Sequence, residues 1–454
     1  MSKKPVIAVF DVGKTNKKLF LFDEHYRIVY EKSARFIETV DEDGDPCENL
    51  ESLRLSVFDS LSEVLRKEEF DIKALNFSTY GASFVYVGED GLPVAPLYNY
   101  LKPYPDNLLK QFYNTYDGEE EFAKSTSSPV LGSLNSGMQL YRIKHEKPEL
   151  FKKIKYALHL PQYLSYLVTG KVFTDITSIG CHTNLWDFQK NDYHRWVYEE
   201  GIAEKFAPIL PGDQVLETAF QGHAFKVGAG LHDSSAALIP YLENFHEPFI
   251  LLSTGTWCIS LNPFNSNPLT LEELKQDSLC YMNYKGTPVK ASRLFAGYEH
   301  EQEAKRIAEH FAIGSSSFKT VKYNPEYIAR LKAKLPQGDD IRFADRDLSV
   351  FENSTEAYHQ LIMDIVKQQE KSTKLAIQDS GVRRIFVDGG FGNNDIFMHL
   401  IANAFPGEEL FAASMAQATA MGTAIAIHKS WNRTPISGNI IELRFYPRSA
   451  EEIA

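Results

Sequence analysis

Short apolar runs separated by polar turns occupy the first forty residues of the chain. In "VIAVFDVGKTNKKLFLFDEHYRIVY", residues 6–30, one apolar run precedes a glycine-containing turn and two more follow it. Runs of this length, bounded by aspartate, glycine and asparagine, are typical of β-strands. The pattern therefore predicts that the chain begins with a meander of three strands.

Farther along, the spacing of apolar residues alternates between helix and strand. Leu53, Val57 and Leu61 would share one face of a helix over residues 51–70. The same criteria predict strands over 74–100 with a hairpin turn at Asp90-Gly91, mainly helix over 135–169 with breaks at Pro148 and Pro161, a second strand meander from 246, and a long helix over 354–381. This alternation indicates a mixed α/β protein.

The tripeptide Gly-Lys-Thr at residues 13–15 is found in Walker A phosphate loops, but its surroundings do not fit one. A Walker A loop has a glycine five residues earlier, where this chain has Ala8. It also leads into a helix whose N-terminal amides bind the phosphates, whereas a strand pattern follows here. The turn is therefore expected to bind phosphate in another way, with Asp11 at its entrance.

The turn pattern occurs twice. "AVFDVGKTNKKLFLF" and "ILLSTGTWCISL" both consist of an apolar strand, a polar turn with glycine and a second apolar strand, and they align Asp11 with Ser253 and Gly13 with Gly255. Such hairpins are common, so the echo alone leaves coincidence open. Each, however, opens a strand meander followed by helices. The repeat predicts two duplicated actin-like (ribonuclease H-like) α/β domains, whose glycine turns would hold the phosphates of one nucleotide across a central cleft.

Composition narrows the class of protein. The chain has 454 residues and a net charge of −12, which argues against binding nucleic acid or an anionic membrane. It has no apolar run near the about 20 residues of a membrane helix, and its first residues lack the features of a signal peptide. The cysteines show no ligand or disulfide spacing, which favours buried thiols in a reducing compartment: Cys47, Cys181, Cys258 and Cys280. We expect a cytoplasmic enzyme.

Taken together, these motifs give the chain a resemblance to the FGGY family of carbohydrate kinases over nearly its whole length, closest to the rhamnulokinase and L-fuculokinase-like branch. The first phosphate motif resembles D-x-G-x-[ST]-x-x-[RK] and the second resembles "SxGTW". The stretch "GAGLHDSSAA" lies between them, and "DGGFGNN" and "ATAMGTA" follow the second motif. The matching residues of the two phosphate motifs are Asp11, Gly13, Thr15 and Lys18 in the first, and Ser253, Gly255, Thr256 and Trp257 in the second.

The resemblance implies an N-terminal domain over residues 1–244, carrying the sugar site, first phosphate motif and catalytic base, and a C-terminal domain over 245–454, carrying the second phosphate motif and adenosine site. It also implies MgATP as the phosphoryl donor. Asp233 would be the catalytic base and Asp11 the magnesium ligand. The remaining nucleotide contacts would come from Gly13, Thr15, Lys18, Ser253, Gly255, Thr256, Gly389, Gly390, Gly392, Asn393 and Ala418.

Each of these residues also has a purely structural interpretation. Asp233 stands before Ser-Ser-Ala-Ala and could simply cap a helix, although a helix N-terminus also favours an ionised carboxylate that can accept a proton. Asp11 could bond within its own turn. Lys18 and the threonines are ordinary in strands. The glycines at 389–392 could form a tight turn, and Ala418 could serve close helix packing.

The acceptor side matches the family less well. By resemblance, the sugar would contact Thr79, Tyr80, Gly81 and His232, with Gln139 and His182 as further candidates, although His182 could equally be a structural residue. Tyr100 and Gln162 stand where the family pattern has aspartate, and Lys14 fills a position that is usually small or hydroxylic. These departures affect the sugar rather than the nucleotide.

The sequence thus predicts transfer of the γ-phosphoryl group to a ketose, a deoxyketohexose such as L-rhamnulose or L-fuculose, on its terminal hydroxymethyl. A pentulose (xylulose or ribulose) is the alternative substrate. An actin-like sugar sensor without catalysis is a further alternative, from another functional class. The expected partners are sugar and ATP, with no nucleic acid and no membrane, and a homodimer is open.

Overall fold

Two β-sheets with helices packed between and around them form the molecule, seen here in a computed structural model that describes residues 3–14, 16–35, 37–336, 341–415 and 417–448. The strands are β1 Lys4–Val12, β2 Asn16–Asp23, β3 Ile28–Arg35, β4 Glu38–Val40, β5 Pro46–Glu48, β6 Phe70–Thr79, β7 Phe84–Val87, β8 Tyr156–His159, β9 Trp186–Asp187, β10 Asp192–Tyr193, β11 Val215–Phe220, β12 His223–Gly228, β13 Leu231–His232, β14 Phe249–Thr254, β15 Cys258–Asn262, β16 Ser278–Met282, β17 Pro288–Leu294, β18 Arg384–Gly389, β19 Glu409–Ser414 and β20 Glu442–Tyr446.

The α-helices are distributed over both halves of the chain. They are α1 Leu50–Leu65, α2 Asp106–Thr115, α3 Gly118–Thr126, α4 Ser136–Glu146, α5 Pro148–Lys153, α6 Leu160–Thr169, α7 Ile176–Ile179, α8 Arg195–Glu199, α9 Asp233–Asn244, α10 Leu271–Lys275, α11 Ala296–His310, α12 Pro325–Lys334, α13 Ser354–Ile377, α14 Asp395–Ala404, α15 Ala418–Ala426 and α16 His428–Trp431. None of the helices in the described part of the chain has the length and apolar character needed to cross a membrane.

The two sheets repeat one strand arrangement. In the N-terminal sheet the order is β11-β12-β6-β1-β2-β3, with β13 also paired to β6, and in the C-terminal sheet it is β16-β17-β15-β14-β18-β19-β20. The first hairpin, β1–β2, is antiparallel and has β6 parallel to β1; the hairpin β14–β15 likewise has β18 parallel to β14. The predicted duplication of an actin-like α/β unit is therefore confirmed at the level of strand order.

Helices α9 and α15 pack between the sheets and join their cores. One buried cluster contains Val9 of β1, Leu238 of α9, Leu251 of β14 and Ala424 of α15. Gly422 lets the two helices approach closely, since a Cβ at this position would collide with the carbonyl oxygen of Ala236. The small residues of "ATAMGTA" thus serve close helix packing, one of the two interpretations left open by the sequence.

Most element predictions are confirmed, with corrections at boundaries and in one hairpin. The three opening strands are present, and the helices predicted over 51–70 and 354–381 end earlier, at Leu65 and Ile377. The turn at Asp90-Gly91 exists, but no hairpin continues from it. Strand β7 pairs with β8 instead, and only an isolated bridge joins Val87 to Pro93. Proline lacks the N–H group that a second strand would need.

Candidate active site

The first phosphate turn and the segment that carries Asp233 meet at the carboxyl edge of the N-terminal sheet. Asp11 of β1 lies opposite Ser78 of β6, and Thr79 at the end of β6 lies opposite His232 of β13. Because β1, β6 and β13 run in parallel, the residues that follow them emerge at the same edge. The fold therefore brings together residues about 70 and 220 positions apart along the sequence.

Asp233 is the first residue of α9 and is partly open to solvent, with 35% of its side chain exposed. Its Oδ1 accepts a hydrogen bond from the Ser234 N–H at 2.6 Å, and His232 Nε2 lies 3.3 Å from the same oxygen. Within the described residues, the contacts of this carboxylate are on Oδ1, which leaves Oδ2 available to a ligand. A negative charge is also stabilised at a helix N-terminus.

Asp11 lies deeper at the same edge. Its Oδ1 accepts a hydrogen bond from the Ser78 hydroxyl at 2.9 Å. Burial raises the pKa of Asp11 to about 6; the Ser78 bond opposes this shift, and the negative charge of Asp233 adds to it. The two carboxylates thus lie within electrostatic reach of each other, and a cation between them would relieve their repulsion.

The donor set fits magnesium better than an all-protein metal cage. The described residues contain no cluster of three or more His, Cys, Asp or Glu that could hold a metal. Mg²⁺ commonly binds through one or two carboxylates, with phosphate oxygens and water completing its shell. Asp11, at the turn predicted to bind phosphate, offers one such carboxylate.

His232 is enclosed on all sides. Its ring stacks on Tyr281 of β16 at 5.7 Å, and His182 meets it edge-on at 6.2 Å. Gly81 provides the space on another side, since a Cβ there would lie 2.7 Å from His232 Nε2. Burial lowers the pKa of both histidines, so both rings are neutral near pH 7. His182 fits its structural interpretation.

The second phosphate turn lies at the carboxyl edge of the C-terminal sheet. The Gly255 N–H donates to the Trp257 carbonyl at 2.9 Å, and the exposed turn includes Thr256. Thr254 joins this turn to the glycine loop that follows β18: its hydroxyl donates to the Asp388 carbonyl at 2.6 Å and accepts from the Phe391 N–H at 3.0 Å. The two glycine motifs of the C-terminal half therefore form one surface.

Gly389 is required at the start of that loop. Its φ of +94° lies in the region that favours glycine, and a Cβ would collide with the carbonyl oxygen of Thr254. Gly390 and Asn393 are exposed, whereas Gly392 is buried beneath the Val387 carbonyl. The loop thus combines an open side with a packed side, and Gly392 belongs to the packed side.

A cavity of about 650 Å³ opens beside this loop. Tyr358 organises its wall, since its hydroxyl bonds with His300 Nε2 at 2.9 Å and with Asn394 Nδ2 at 2.8 Å, and its ring stacks on Phe318 at 4.5 Å. The other lining residues include Glu301, Gln302, Lys305, Lys319, Lys322, Gly390, Asn393 and Asp395. Its size and position suit the base and ribose of a nucleotide.

The other predicted nucleotide residues take varied positions. Lys18 lies opposite Asp11 across β1 and β2, and its ammonium is 3.3 Å from Glu31. Ser253 is half-buried and pairs with Asp388 across β14 and β18, and Ala418 is the first residue of α15. Gly13 donates its N–H to the Asn16 carbonyl at 3.0 Å, which closes the first turn. Thr15 lies outside the described residues.

On the acceptor side, several predicted contacts also maintain the fold. The Thr79 hydroxyl donates to the Tyr80 carbonyl at 2.8 Å, and Gln139 Nε2 donates to the carbonyls of Ala82 and Ser133, both at 2.7 Å. Gln162 donates to the Gly230 carbonyl at 2.9 Å. The glutamine at 162 therefore ties α6 to the loop that leads into Asp233.

Sequence reasoning missed several residues of the site. Asp388 is the first residue of the recognised motif "DGGFGNN" but received no role from the sequence, and its Oδ2 accepts from the Tyr241 hydroxyl of α9 at 2.9 Å. Glu48 pairs with Lys14, and Tyr281 stacks on His232. Neither Glu48 nor Tyr281 has a local signal, because the partners that give them a role are distant in sequence.

Family comparisons agree with this geometry. The FGGY family of carbohydrate kinases, N-terminal domain, matches residues 6–239, and the carbohydrate kinase FGGY C-terminal domain matches residues 246–435. The chain is 22% identical to the rhamnulokinase of Halalkalibacterium halodurans over 91% of this chain and 89% of that protein. A match to the rhamnulokinase of Bacteroides thetaiotaomicron is 25% identical and covers 45% of this chain and 43% of that protein.

Solved structures share the fold over the whole length. A carbohydrate kinase from Novosphingobium aromaticivorans superposes with a TM-score of 0.82 at 23% identity, covering 100% of this chain and 96% of that chain. A ligand-bound xylulose kinase from Lactobacillus acidophilus gives a TM-score of 0.79 at 16% identity, covering 99% and 94%. At these identities the likeness concerns the architecture.

Proposed function

The chain belongs to the FGGY family of carbohydrate kinases, and on that premise we propose that its acceptor is a ketose, specifically a deoxyketohexose such as L-rhamnulose or L-fuculose. The terminal hydroxymethyl group would receive the γ-phosphoryl group of ATP. The observation that carries the proposed site is the meeting of Asp11 and Asp233 at one sheet edge. The choice of sugar is supported by relatives that are rhamnulokinases and by His232 beside Asp233.

In this mechanism Asp233 is the general base. The sugar hydroxyl donates to Asp233 Oδ2 and loses its proton to it as the oxygen attacks the γ-phosphorus of ATP, and ADP leaves. His232 and the Ser234 N–H hold Oδ1, so the carboxylate keeps one orientation. The backbone of His232 is held in place in turn, because its backbone N–H donates to the Thr177 hydroxyl at 2.9 Å.

The two glycine turns are proposed to hold the phosphates from opposite sides. Gly13 and Gly255 would let the backbone of each turn approach the phosphate oxygens closely. Lys18 and Thr256 would donate additional hydrogen bonds to those oxygens. Asp11 would hold a magnesium ion, which supplies neutralisation of the phosphate charge when bound. Gly389, Gly390 and Asn393 border the cavity proposed for adenosine.

We also propose the domain boundary between residues 244 and 245. The two family matches lie on either side of it, ending at residue 239 and beginning at residue 246.

In the described residues the four cysteines are unpaired and buried. This fits the reducing environment of the cytoplasm.

The test is an ADP-release screen over ketoses, aldoses and polyols in the presence of MgATP. We expect sugar-stimulated turnover, highest with deoxyketohexoses, and a loss of roughly 10²- to 10⁴-fold in Asp233→Ala because the general base is gone. Asp59→Asn, an exposed carboxylate on α1, is the matched control and should keep full turnover.

The screen separates the alternatives. Highest turnover with xylulose or ribulose would replace the proposed sugar by a pentulose. Full stimulation in Asp233→Ala would remove this residue as the base. No stimulation by any sugar, together with sugar binding, would favour a sensor.

A further inference from the structure

Lys14 is enclosed by two tyrosines and a carboxylate, although it belongs to the first phosphate turn. Its ammonium lies 5.1 Å from the ring centre of Tyr80 and 4.9 Å from that of Tyr100, and it forms an ion pair with Glu48. The Lys14 side chain is 31% exposed and that of Glu48 is 5% exposed. We call these four residues the lysine cage.

The residues around Lys14 are not those expected around a lysine that binds phosphate. A lysine that binds phosphate supplies uncompensated positive charge, whereas Lys14 is neutralised by Glu48 and held by two aromatic rings. The side chain therefore belongs to the wall formed by Tyr80 and Tyr100.

That wall adjoins the catalytic carboxylate. The Tyr80 N–H donates to the Val12 carbonyl at 3.1 Å, and the preceding residue, Thr79, pairs with His232. Burial raises the pKa of Tyr100, and the negative charges of Asp233 and Glu48 add to this shift. Tyr100 thus lies within electrostatic reach of both the cage and the proposed base.

Ion pairs of the buried Lys102 hold together the two segments that carry Glu48 and Tyr100. Lys102 binds Asp41, and its ammonium is 2.7 Å from Asp43 and 3.1 Å from Asp45. A bridge between Glu48 and Leu97 joins the loops a second time. The cage is therefore a built feature of the fold rather than a chance surface contact.

The cage also contains buried polar groups that lie close to one another. In the described part of the chain, Glu48 Oε2, the Tyr80 hydroxyl and the Ser83 hydroxyl are buried and make no hydrogen bond of normal geometry. Burial raises the pKa of Tyr80, and Glu48 and Ser83 are both near enough to its hydroxyl to alter that pKa. Buried polar groups are normally satisfied, and those of a sugar site are satisfied by the sugar. These atoms and the Lys14 ammonium supply both donors and acceptors for hydroxyl groups.

We propose that Lys14 and Glu48, framed by Tyr80 and Tyr100, recognise the acceptor and select a neutral polyhydroxylated sugar over a sugar acid. This inference rests on the proposed kinase function and names the substrate class of that site. The Lys14 charge is compensated by Glu48, while Asp233 adds negative charge within electrostatic reach of Tyr100. A carboxylate on the acceptor would therefore meet net repulsion, whereas hydroxyl groups would find partners.

The first experiment removes both charges. Lys14→Met/Glu48→Gln keeps side-chain volume and leaves no buried charge unpaired, whereas Lys14→Met alone would leave the buried carboxylate of Glu48 without its partner. We expect KM for the preferred neutral sugar to rise roughly 10- to 100-fold, since hydrogen bonds to charged groups are lost, while KM for ATP stays within about twofold. Lys32→Met/Glu63→Gln removes a matched surface pair, 2.6 Å apart, and should leave both values unchanged.

The second experiment frees the lysine. In Glu48→Gln, the Lys14 ammonium loses its counter-ion, so kcat/KM for an aldonate such as gluconate should rise at least about tenfold relative to the neutral sugar. Wild-type enzyme should prefer the neutral sugar. A thermal melt of each variant checks that it is folded.

The outcomes distinguish this inference from the kinase proposal. No sugar-stimulated turnover in the wild-type enzyme would refute the proposed function itself. Wild-type turnover combined with a raised KM for ATP and an unchanged KM for sugar in the double variant would make Lys14 a phosphate ligand and overturn the inference. Wild-type preference for an aldonate would overturn the selectivity. If the double variant does not fold, the single variants Tyr100→Phe and Lys14→Arg are measured in its place. An unchanged KM for the sugar in both of them would also contradict the proposed role of the lysine cage.

Discussion

At the scale of single residues, Asp175 shows how one buried carboxyl supports the site from below. Its Oδ1 caps α7 by accepting from the N–H groups of Thr177 at 2.8 Å and Ser178 at 3.3 Å, and it also accepts from the Thr177 hydroxyl. That hydroxyl in turn accepts the His232 N–H. The side chain of Asp175 is fully buried, and burial raises its pKa from 3.8 to about 7.

The raised pKa predicts a pH dependence of stability. The folded state binds a proton on Asp175 that the unfolded state has lost, so the contribution is fully present below about pH 4 and is lost as pH rises through about 7. The full shift corresponds to about 4 kcal/mol. Asp175→Asn keeps the capping acceptor without the charge, so it should match wild type near pH 4 and exceed the melting temperature of wild type by a growing margin as pH rises to 8.

The measurement is the difference in melting temperature between variant and wild type across pH 4–8. Asp59→Asn on the surface should show no such trend. A difference that does not change with pH would show that Asp175 carries the same charge in the folded and unfolded states throughout this range, and would contradict the raised pKa.

At the scale of elements, close packing of α9 against α15 decides where Asp233 stands. Asp233 begins α9, and Ala236, one turn later, faces Gly422 of α15. Helix α15 also packs on β1 and β6, the strands that carry Asp11 and Thr79. The proposed catalytic edge is thus supported by a helix from the C-terminal half of the chain.

Gly422→Ala tests this packing. In an open helix the change would stabilise by about 1 kcal/mol, but the added Cβ collides with the Ala236 carbonyl, a backbone atom that cannot rotate away. We expect a net destabilisation of about 1–3 kcal/mol and reduced kcat, measured by thermal melts and sugar-stimulated ADP release. Gly407→Ala, with open space around it, is the control and should change neither. Normal stability and turnover in Gly422→Ala would mean that the helices can separate at no cost.

At the scale of the whole molecule, polar contacts connect the two sheets through the helices between them. Tyr241 of α9 donates to Asp388 Oδ2, which stands at the entrance to the glycine loop. Asn76 of β6 donates to the Thr423 carbonyl of α15 at 2.9 Å. The surface proposed to bind the nucleotide is therefore connected to the helix that begins with the proposed base.

Tyr241→Phe should weaken that coupling. The lost bond to a carboxylate costs about 1.5–3 kcal/mol of stability, and a loop less well held should raise KM for ATP roughly fivefold with little change in KM for sugar. Steady-state kinetics with each substrate varied in turn provides the measurement. Tyr198→Phe, which removes an exposed tyrosine–aspartate bond of 2.8 Å, is the control. A change in KM for sugar alone would place the effect of Tyr241 on the acceptor side.

The predictions made from sequence succeeded where the signal is local. Strand alternation, glycine turns and the order of the motifs predicted the duplicated architecture and the family. They failed where the pairing partner is distant. Strand β8 lies within the stretch predicted as helix, because its partner β7 is about 70 residues earlier in the chain. The residues that follow Asp90-Gly91 form no strand, although a hairpin was predicted there.

The sequence by itself determined most of the elements, the two strand–glycine turn–strand motifs and the family of the protein, because these depend on residue type and on spacing over a few turns of chain. Only the tertiary structure decided what surrounds each side chain. Lys14 sits in a phosphate-turn motif, yet its neighbours Glu48, Tyr80 and Tyr100 come from three other segments. Burial and charge pairing depend on such distant neighbours, and they determine whether a lysine faces a phosphate or a sugar.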